Sequence, residues 1–401
     1  MTPIDERTYV IARTAFVSTY PPRRCGIASY TRDLAAATGD REIAVLLPAE
    51  RGTPFPLEVH HRIRQDERAD YSNTGRAIGA CVDVVSIQYD FASWGGEDGE
   101  YVFDFVRALD VPAVATLHSI PAKPTVRQRT ILSDLIASVD ATVVLSTSAA
   151  GLLAGAYGVD PRRLDVIPHG VPDLPLVEPE TLKTAVGLEG RDVILSFGLL
   201  GPAKGYELAI DALPAVVAAH PNACYVIVGA THPDVLLADG EAYRAALMAR
   251  VKTLGMTKHV RFVDQFVGRV EMTRWLQAAD VFVTPYPDLG QMVSGTLSYA
   301  MGAGRAIVST PYGYATELLA DGRGVLVAPG SPAKLAAALI GVLGDDALRA
   351  ALGRRAYEHS RRMVWSEVGA QYRKLFARVG SAAAASAAAV SAPVGLTAIN
   401  A

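Results

Sequence analysis

The chain lacks the features that would place it among nucleic-acid-binding, disulfide-rich or membrane-spanning proteins. Its formal net charge is −3, whereas nucleic-acid-binding domains are usually strongly basic. Its three cysteines lie far apart and show no metal-type spacing, which argues against a disulfide framework or a zinc site. No stretch offers the roughly 20 uninterrupted apolar residues of a membrane span. We therefore expect a globular protein without a nucleic-acid partner.

The start of the chain lacks the pattern of a signal peptide. Its first residues, MTPIDERTYVIARTAF, are charged and contain no apolar core. We expect a cytoplasmic protein. Peripheral contact with the inner face of a membrane stays open, and so does the oligomeric state.

Three catalytic motifs are also missing. No Gly-x-Gly-x-x-Gly follows the first predicted strand, which argues against a nicotinamide dehydrogenase, and no Gly-x-Ser-x-Gly elbow is present. The chain contains no Asp-x-Asp, so a carboxylate pair that could bind a metal beside a diphosphate has no candidate. We therefore expect neither a cofactor nor a metal.

What the chain does contain is a regular alternation of short apolar runs and amphipathic segments over 401 residues. This length suits two α/β domains, and the alternation predicts parallel sheets covered by helices on both faces. The predicted strands are 15–18, 43–47, 82–88, 113–117, 141–145, 165–168, 193–197, 223–228, 260–263, 281–285, 306–309 and 324–327. The predicted helices are 27–37, 100–109, 125–137, 206–219, 241–254, 269–278, 294–302, 316–320 and 332–344, with one or two more in 345–379.

Two compositional changes divide the chain. The run PHGVPDLPLVEP at 168–179 is too rich in proline for a helix or a central strand and predicts a linker. The last residues are almost all Ala, Ser and Val and predict a disordered tail. The predicted organisation is a Rossmann-like domain at 8–172, a linker at 173–190, a second Rossmann-like domain at 191–358, a C-terminal helix at 359–379 and the tail at 380–401.

Doubly wound sheets bind ligands beyond the carboxyl ends of their strands, so two such domains in series predict a site in the cleft between them. The loop after the first strand, residues 18–26, ends in Gly26 at a helix start and contains Arg23 and Arg24. A glycine there lets the backbone approach a phosphate, and the free N–H groups of a first helical turn favour anions. An ordinary connecting loop remains the alternative.

Two loops of the second half have the same character. In FGLLGPAKGYE, residues 197–207, Gly198, Lys204 and Gly205 precede a helix, and the lysine could hold a pyrophosphate or be an ordinary solvated side chain. In residues 288–310, the turn SGT at 294–296 (Ser294, Gly295 and Thr296) would present N–H groups and hydroxyls at a helix start. Gln291, just upstream, could bond sugar hydroxyls.

Three further side chains are candidates for the first domain's share of the site. His118 ends a predicted strand and would face the cleft, although a satisfied core histidine is the alternative. His169 precedes the linker, and its more plausible interpretation is a structural residue. Trp94, in the loop at 89–100, could stack on an acceptor sugar or could be ordinary packing.

These segments, in this order, resemble the retaining glycosyltransferases of family 4, which have the GT-B fold. The likeness runs from about residue 15 to 376, and each part of it is quoted from the sequence. FG followed by KG at 197–205 resembles that family's Gly-Arg-x-x-x-x-Lys-Gly loop, HGV at 169–171 its Asn-Gly-Val, and AADVFVTPY at 278–286 its strand before the donor loop. AMGAGRAIVST at 300–310 and ELLADGRGVLV at 317–327 match the segments that follow, and Trp365 lies in the helix that crosses back to the first domain in that family.

The resemblance also shows where this chain differs. The family's Glu-x7-Glu falls on Gln291 and Tyr299, where the first glutamate usually binds donor sugar hydroxyls and the second the nucleotide ribose. A glutamine amide can bind hydroxyls as well, but a tyrosine does not replace a carboxylate. The family's pyrophosphate arginine falls on Leu199, which leaves Lys204 alone in its loop, with Arg23 or Arg24 as compensation.

The resemblance implies an α/β protein of two Rossmann-like, doubly wound domains facing a central cleft. It implies transfer of a hexose from a nucleoside-diphosphate sugar, GDP-mannose ahead of UDP-glucose, to a saccharide, lipid or small-molecule acceptor with retention and without a metal. His118, Lys204 and Gln291 would be its catalytic residues. The alternatives are another GT-B enzyme, such as a sugar-nucleotide epimerase or a phosphorylase, and a non-catalytic nucleotide-sugar-binding protein.

Overall fold

The computed structural model describes residues 12–39, 42–47 and 54–391. Within these residues the first part of the chain builds one sheet of seven parallel strands. The strands are β1 (Thr14–Ser18), β2 (Glu42–Leu47), β3 (Val59–Arg64), β4 (Val84–Tyr89), β5 (Ala113–Leu117), β6 (Ala141–Val144) and β7 (Leu164–Val166). Their order is β3-β2-β1-β4-β5-β6-β7. β1, β4 and β5 are buried along their whole length, as expected for parallel strands covered on both faces.

Five helices cover this sheet in the described part of the first domain: α1 (Gly26–Thr38), α2 (Arg68–Gly79), α3 (Val102–Val106), α4 (Val126–Ser138) and α5 (Thr147–Tyr157). Side chains fix where several of them begin. The Cys25 Sγ accepts the Ala28 N–H at the start of α1, and Thr125 forms a capping box with Gln128 at the start of α4.

The second part of the chain repeats this architecture with six described strands in the order β10-β9-β8-β11-β12-β13. The strands are β8 (Asp192–Phe197), β9 (Ala223–Val228), β10 (Val260–Val263), β11 (Val281–Thr284), β12 (Ala306–Ser309) and β13 (Val325–Leu326). The helices are α6 (Glu180–Val186), α7 (Tyr206–Ala219), α8 (Pro233–Asp239), α9 (Ala242–Thr253), α10 (Arg269–Ala278), α11 (Gly295–Gly302), α12 (Gly313–Leu318), α13 (Pro332–Gly344), α14 (Asp346–Ser360) and α15 (Trp365–Ser391).

In both sheets the order in which the chain adds strands reverses at an equivalent place. This switch point lies between β1 and β4 in the first domain and between β8 and β11 in the second. The loops after these four strands are where a doubly wound sheet binds its ligand. The prediction of two Rossmann-like, doubly wound α/β domains is confirmed.

The chain crosses between the domains twice, and the two crossings bond to each other. The Val171 N–H donates to the Met363 carbonyl at 2.8 Å, and the Trp365 N–H donates to the Val171 carbonyl at 3.0 Å. After this bridge α15 packs on α1 and β4 of the first domain. There the Tyr372 hydroxyl lies 3.0 Å from the Tyr30 hydroxyl, and the Phe376 ring contacts the Phe16 ring edge-on at 6.1 Å.

Several predicted boundaries need correction. The helix expected over 100–109 spans only Val102–Val106. The sequence predicted no regular element where the structure has β3, α2, α5, α6 and α8, and α6 lies inside the predicted linker at 173–190. The tail expected to be disordered from residue 380 continues α15 as helix to Ser391, because alanine-rich sequence favours helix once a packed helix precedes it. Residues 8–11 of the predicted first domain and 392–401 of the predicted tail lie outside the described residues.

None of the helices in the described ranges combines the length and the apolar character needed to cross a membrane. The longest, α15, carries charged side chains such as Glu367 and Arg373 along its packed part. Its apolar residues instead face the first domain.

Candidate active site

The loops that follow β8 and β11 meet directly. Gly198 has φ near +132°, and a Cβ at this position would lie 3.2 Å from the Thr296 Cγ2. Gly205 also has a positive φ, and a Cβ there would clash with the Pro285 carbonyl. Only glycine allows both the backbone conformation and the close approach at these two positions. The predicted lysine loop and the predicted SGT turn therefore form one surface.

The start of α11 presents unpaired backbone donors to this surface. Ser294 caps the helix, with its Oγ accepting the Leu297 N–H at 3.3 Å and lying 3.3 Å from the Thr296 Oγ1. The N–H groups of Gly295 and Thr296 have no hydrogen-bond partner within the part of the chain that the structure describes. Free N–H groups and the helix dipole together make this a site for an anion.

Lys204 and Tyr286 add a cation and a phenol beside these donors. The Lys204 Nζ lies 4.3 Å from the centre of the Tyr286 ring, and the Tyr286 hydroxyl lies 3.2 Å from the Thr296 Oγ1. The Tyr286 ring also stacks with the Tyr312 ring, with 5.1 Å between the centroids. Burial alone would raise the pKa of the Tyr286 phenol, but the Lys204 ammonium and the hydroxyls of Thr296 and Ser294 lower it below its ordinary value.

In the first domain His118 directly follows β5 and is only partly buried. Its Nε2 lies 2.8 Å from the Oε1 of Gln88, and its ring contacts the Tyr30 ring edge-on at 4.8 Å. Burial lowers the pKa of His118 to about 3, and the neighbouring His169 lowers it further. The imidazole is therefore neutral at physiological pH.

Aromatic rings connect this histidine to the second domain. Tyr30 contacts His169 at 5.1 Å, and His169 contacts Tyr299 of α11 at 5.5 Å. A Cβ at Gly295 would lie only 2.9 Å from the His169 Nε2, so the start of α11 is packed against this ring. Burial lowers the pKa of His169 to about 4, and its Nδ1 donates to the Gly170 carbonyl at 2.8 Å.

Gln291 precedes the start of α11, and Tyr299 lies in the second turn of this helix. The Gln291 Nε2 donates to the Val293 carbonyl at 2.7 Å, which leaves the amide oxygen as the group available to a ligand. Burial raises the pKa of the Tyr299 phenol, and the carboxylate of Asp33 on α1 raises it further. Tyr299 is thus a neutral hydroxyl where the resembling family has a carboxylate.

Within the described residues no contact joins Gly26, Arg24 or Trp94 to Lys204 or to the start of α11. Gly26 begins α1 with open space around it, and Arg24 is exposed. Trp94 is only 1% exposed, donates its indole N–H to the Gln88 carbonyl at 3.1 Å and packs on Phe105. The prediction that its ring could stack on an acceptor sugar needs correction, because the ring fills the core of the first domain.

Sequence reasoning missed Tyr286, Gln88 and Tyr30. Tyr286 stands two residues after β11, and Gln88 is, with Ser86, a polar residue in a mostly apolar strand. Polar or aromatic groups near the carboxyl end of a parallel strand are a usable signal for a cleft residue. Tyr30 gave no comparable signal, since it lies inside the amphipathic pattern of α1.

The sequence matches two family models, one in each domain. The model described as Glycosyltransferase Family 4 matches residues 25–173, and the model described as Glycosyl transferases group 1 matches residues 191–345. A phosphatidyl-myo-inositol mannosyltransferase of Mycolicibacterium smegmatis is 31% identical over 280 residues, which cover 69% of this chain and 68% of that protein. A D-inositol 3-phosphate glycosyltransferase of Jonesia denitrificans is 27% identical over 299 residues, 68% of each chain.

Solved structures extend the likeness of fold over most of the chain. Anabaena Alr3699/HepE in complex with UDP-glucose has a TM-score of 0.71 and 17% identity, covering 91% of this chain and 99% of that one. WaaG, a glycosyltransferase involved in lipopolysaccharide biosynthesis, has a TM-score of 0.66 and 18% identity over 90% of this chain and 99% of that one. Together with the two parallel sheets, these likenesses show the GT-B fold.

Proposed function

Because the chain belongs to the group 1 glycosyltransferases of family 4, we propose that it transfers a hexose from a nucleoside-diphosphate sugar to a hydroxyl of an acceptor. In this proposal the transfer retains the anomeric configuration and needs no metal. The observation that carries the proposal is the chain of contacts from Lys204 through Tyr286 to the hydroxyls of Thr296 and Ser294 at the start of α11, where the first N–H groups are free. This is a set of donors without a carboxylate, as a diphosphate requires.

The second domain stabilises the leaving diphosphate. Negative charge develops on the phosphate oxygens as the bond from the anomeric carbon to the diphosphate oxygen breaks. The Lys204 ammonium and the N–H groups of Gly295 and Thr296 are already in place to meet that charge, so little reorganisation is needed in the transition state. Gly198 and Gly205 allow the lysine loop to approach the helix closely enough for this.

The first domain supplies the other face of the cleft. The neutral His118 accepts a hydrogen bond from a substrate hydroxyl, and Gly26 with Arg24 lets the loop after β1 close on the phosphates. The acceptor oxygen forms its bond to the anomeric carbon on the face from which the diphosphate departs, and its proton passes to a phosphate oxygen. Exclusion of water by the closed cleft limits hydrolysis of the donor.

The donor sugar and the ribose lie on either side of α11 in this proposal. The Gln291 amide oxygen accepts from hydroxyls of the hexose, and the Tyr299 hydroxyl takes the place of a ribose-binding carboxylate. A neutral phenol offers a weaker hydrogen bond to a ribose hydroxyl than an ionised carboxylate does. We therefore expect donor binding to depend more on the diphosphate than on the ribose.

The donor is GDP-mannose, with UDP-glucose as the second choice, and the acceptor is a saccharide, a lipid headgroup or a small polyol. A mannosyltransferase acting on phosphatidyl-myo-inositol among the relatives supports the first choice. A UDP-glucose complex among the similar folds supports the second. The site geometry favours neither guanine nor uracil, because the groups at the start of α11 would contact the diphosphate and not the nucleobase.

The test is nucleotide release and product formation by the full chain with GDP-mannose and UDP-glucose, each with a panel of polyol, glycan and phosphoinositide acceptors. Replacing Lys204 by alanine removes the cation beside the diphosphate. We expect kcat to fall about 100- to 1,000-fold, the range for loss of one strong oxyanion donor. Lys334→Ala is the matched control, since Lys334 is an exposed lysine on α13 of the same domain.

The outcomes separate the alternatives. Unchanged turnover in Lys204→Ala would remove the lysine from the phosphate site. Conversion of the nucleotide sugar without an acceptor product would favour an epimerase. Tight nucleotide binding with no turnover on any acceptor would favour a binding protein, a reading that Tyr299 and Leu199 also motivate.

A further inference from the structure

His118 is held by a glutamine that is completely buried. Gln88 belongs to β4, next to β5, and has no exposed surface. Its Oε1 lies 2.8 Å from the His118 Nε2, and its Nε2 donates to the Ser86 Oγ at 3.0 Å. The three side chains Ser86, Gln88 and His118, here named the SQH chain, run from the core of the first domain to the cleft.

The direction of these bonds defines the proton position on the imidazole. Because the Gln88 amide nitrogen is used on Ser86, its oxygen faces the histidine, and that oxygen can only accept. The proton of the neutral ring therefore lies on Nε2. The His118 Nδ1 has no partner within the described residues and is not among their buried unpartnered atoms, so its lone pair is open to a ligand.

We propose that Gln88 is a positioning residue which fixes His118 as the Nε2–H tautomer, so that Nδ1 accepts a hydrogen bond from a substrate hydroxyl in the cleft. This inference rests on the proposed function, in which a hydroxyl-bearing hexose or acceptor reaches His118. The hydrogen bond made by one ring nitrogen sets what the other can do. The wrong tautomer would present an N–H to the same hydroxyl and lose the acceptor.

Two features of the surrounding structure, the contact with Tyr30 and the burial of the ring, keep His118 in this orientation and neutral. The edge-on contact with Tyr30 restricts the ring from turning over, and Tyr30 is itself held by its hydroxyl contact with Tyr372, which in turn lies 3.0 Å from the Thr116 Oγ1. Burial lowers the pKa of His118 to about 3, so the ring keeps its free lone pair throughout the physiological range.

The test is the tautomer itself, read from long-range proton–nitrogen spectra of the ¹⁵N-histidine-labelled full chain, with His118 assigned by the signal lost in His118→Asn. We expect a protonated Nε2 and an unprotonated Nδ1 in the wild type. Gln88→Leu should shift His118 toward a mixture of tautomers. Ser86→Ala, which removes only the group that orients the amide, should give a smaller shift in the same direction and covers the case in which Gln88→Leu fails to fold.

Transferase kinetics provide the second measurement. We expect Gln88→Leu to lower kcat about tenfold, the effect of losing one correctly oriented hydrogen-bond acceptor, and Ser86→Ala to lower it less. A change in KM for the donor would assign the hydroxyl to the hexose, and a change in KM for the acceptor would assign it to the acceptor. A protonated Nδ1 in the wild type, or an unchanged tautomer and rate in Gln88→Leu, would overturn the inference. Absence of transferase activity in the wild type would instead count against the proposed function, since the spectra do not depend on turnover.

Discussion

At the scale of single residues, the two histidines at the domain junction are neutral because their rings are shielded from water, His169 in the buried core and His118 at the partly buried edge of the cleft. Burial lowers the pKa of His118 to about 3 and that of His169 to about 4, from an ordinary value of 6.5. Unfolding exposes both rings, which then take up a proton near their ordinary pKa. Between pH 6.5 and about 4 the unfolded state therefore binds more protons than the folded state, and stability falls as the pH falls.

We expect the free energy of unfolding, measured by urea titration, to fall from pH 7.5 to pH 5.5 by about 1 kcal/mol for each of these histidines. His169→Phe, which keeps an aromatic ring against Tyr30 and Trp365, should remove its part of the dependence. Leu237→Asn, at an exposed and non-titrating leucine of α8, serves as the control and should keep the wild-type slope. An equal pH dependence in His169→Phe and the wild type would show that His169 accepts its proton while folded.

The residue scale also shows which site residues a sequence can reveal. The positions of Lys204 and the SGT turn beside helix starts were predictable, because glycine and small polar residues precede amphipathic segments there. Their role in binding an anion stays a prediction. Trp94 misled because its ring, in a loop, is as compatible with stacking as with packing, and only burial distinguishes the two. Gln88 was not predictable, since a hydrogen bond between neighbouring strands depends on the register of β4 and β5.

At the scale of elements, strongly apolar strands and helices with clear amphipathic periods were predictable to within a few residues. β3 and α2 were not, because the strand sequence VHHRIR and the helix sequence RADYSNTGRAIG contain too few apolar residues to show a period. Their pairing is set by neighbours: β3 adds to the edge of β2, and α2 packs on α3. The secondary structure of these two segments is therefore set by tertiary contacts and not by their local sequence pattern.

The start of α11 gives a prediction at this scale. Gly295 is the first residue of the helix, and a Cβ there would press on the His169 ring. We expect Gly295→Ala to displace the helix start and weaken binding of GDP or UDP about tenfold, measured by calorimetry. Gly341→Ala, inside α13 with open space around it, is the matched control and should raise stability by about 0.5–1 kcal/mol without changing nucleotide binding. Equal stabilisation and unchanged binding in Gly295→Ala would contradict the packing of this helix against His169.

At the scale of the whole molecule, the two domains touch through charged contacts as well as through the covalent crossings. The Glu317 carboxylate on α12 accepts the N–H groups of Thr147 at 3.0 Å and Ser148 at 2.7 Å, at the start of α5 in the first domain. Arg269 at the start of α10 forms an ion pair with the buried Asp33 of α1. Both contacts exist only when the domains approach as closely as they do here, so they favour the closed cleft.

The last prediction follows from these two contacts. A carboxylate bonded to two N–H groups at a helix start contributes about 1.5–3 kcal/mol, which corresponds to roughly a 10- to 100-fold change in the ratio of closed to open molecules. We expect Glu317→Ala, and more strongly Glu317→Ala with Arg269→Ala, to increase the radius of gyration of the free protein in small-angle X-ray scattering.

Saturating nucleotide should reduce that increase, because the diphosphate bridges groups of both domains in the proposed site. Glu358→Ala, at an exposed glutamate of α14, is the control and should scatter as the wild type does. If the double variant scatters as the wild type with and without nucleotide, the bonded crossings at Val171 and Trp365 alone hold the domains together, and closure does not depend on these charges.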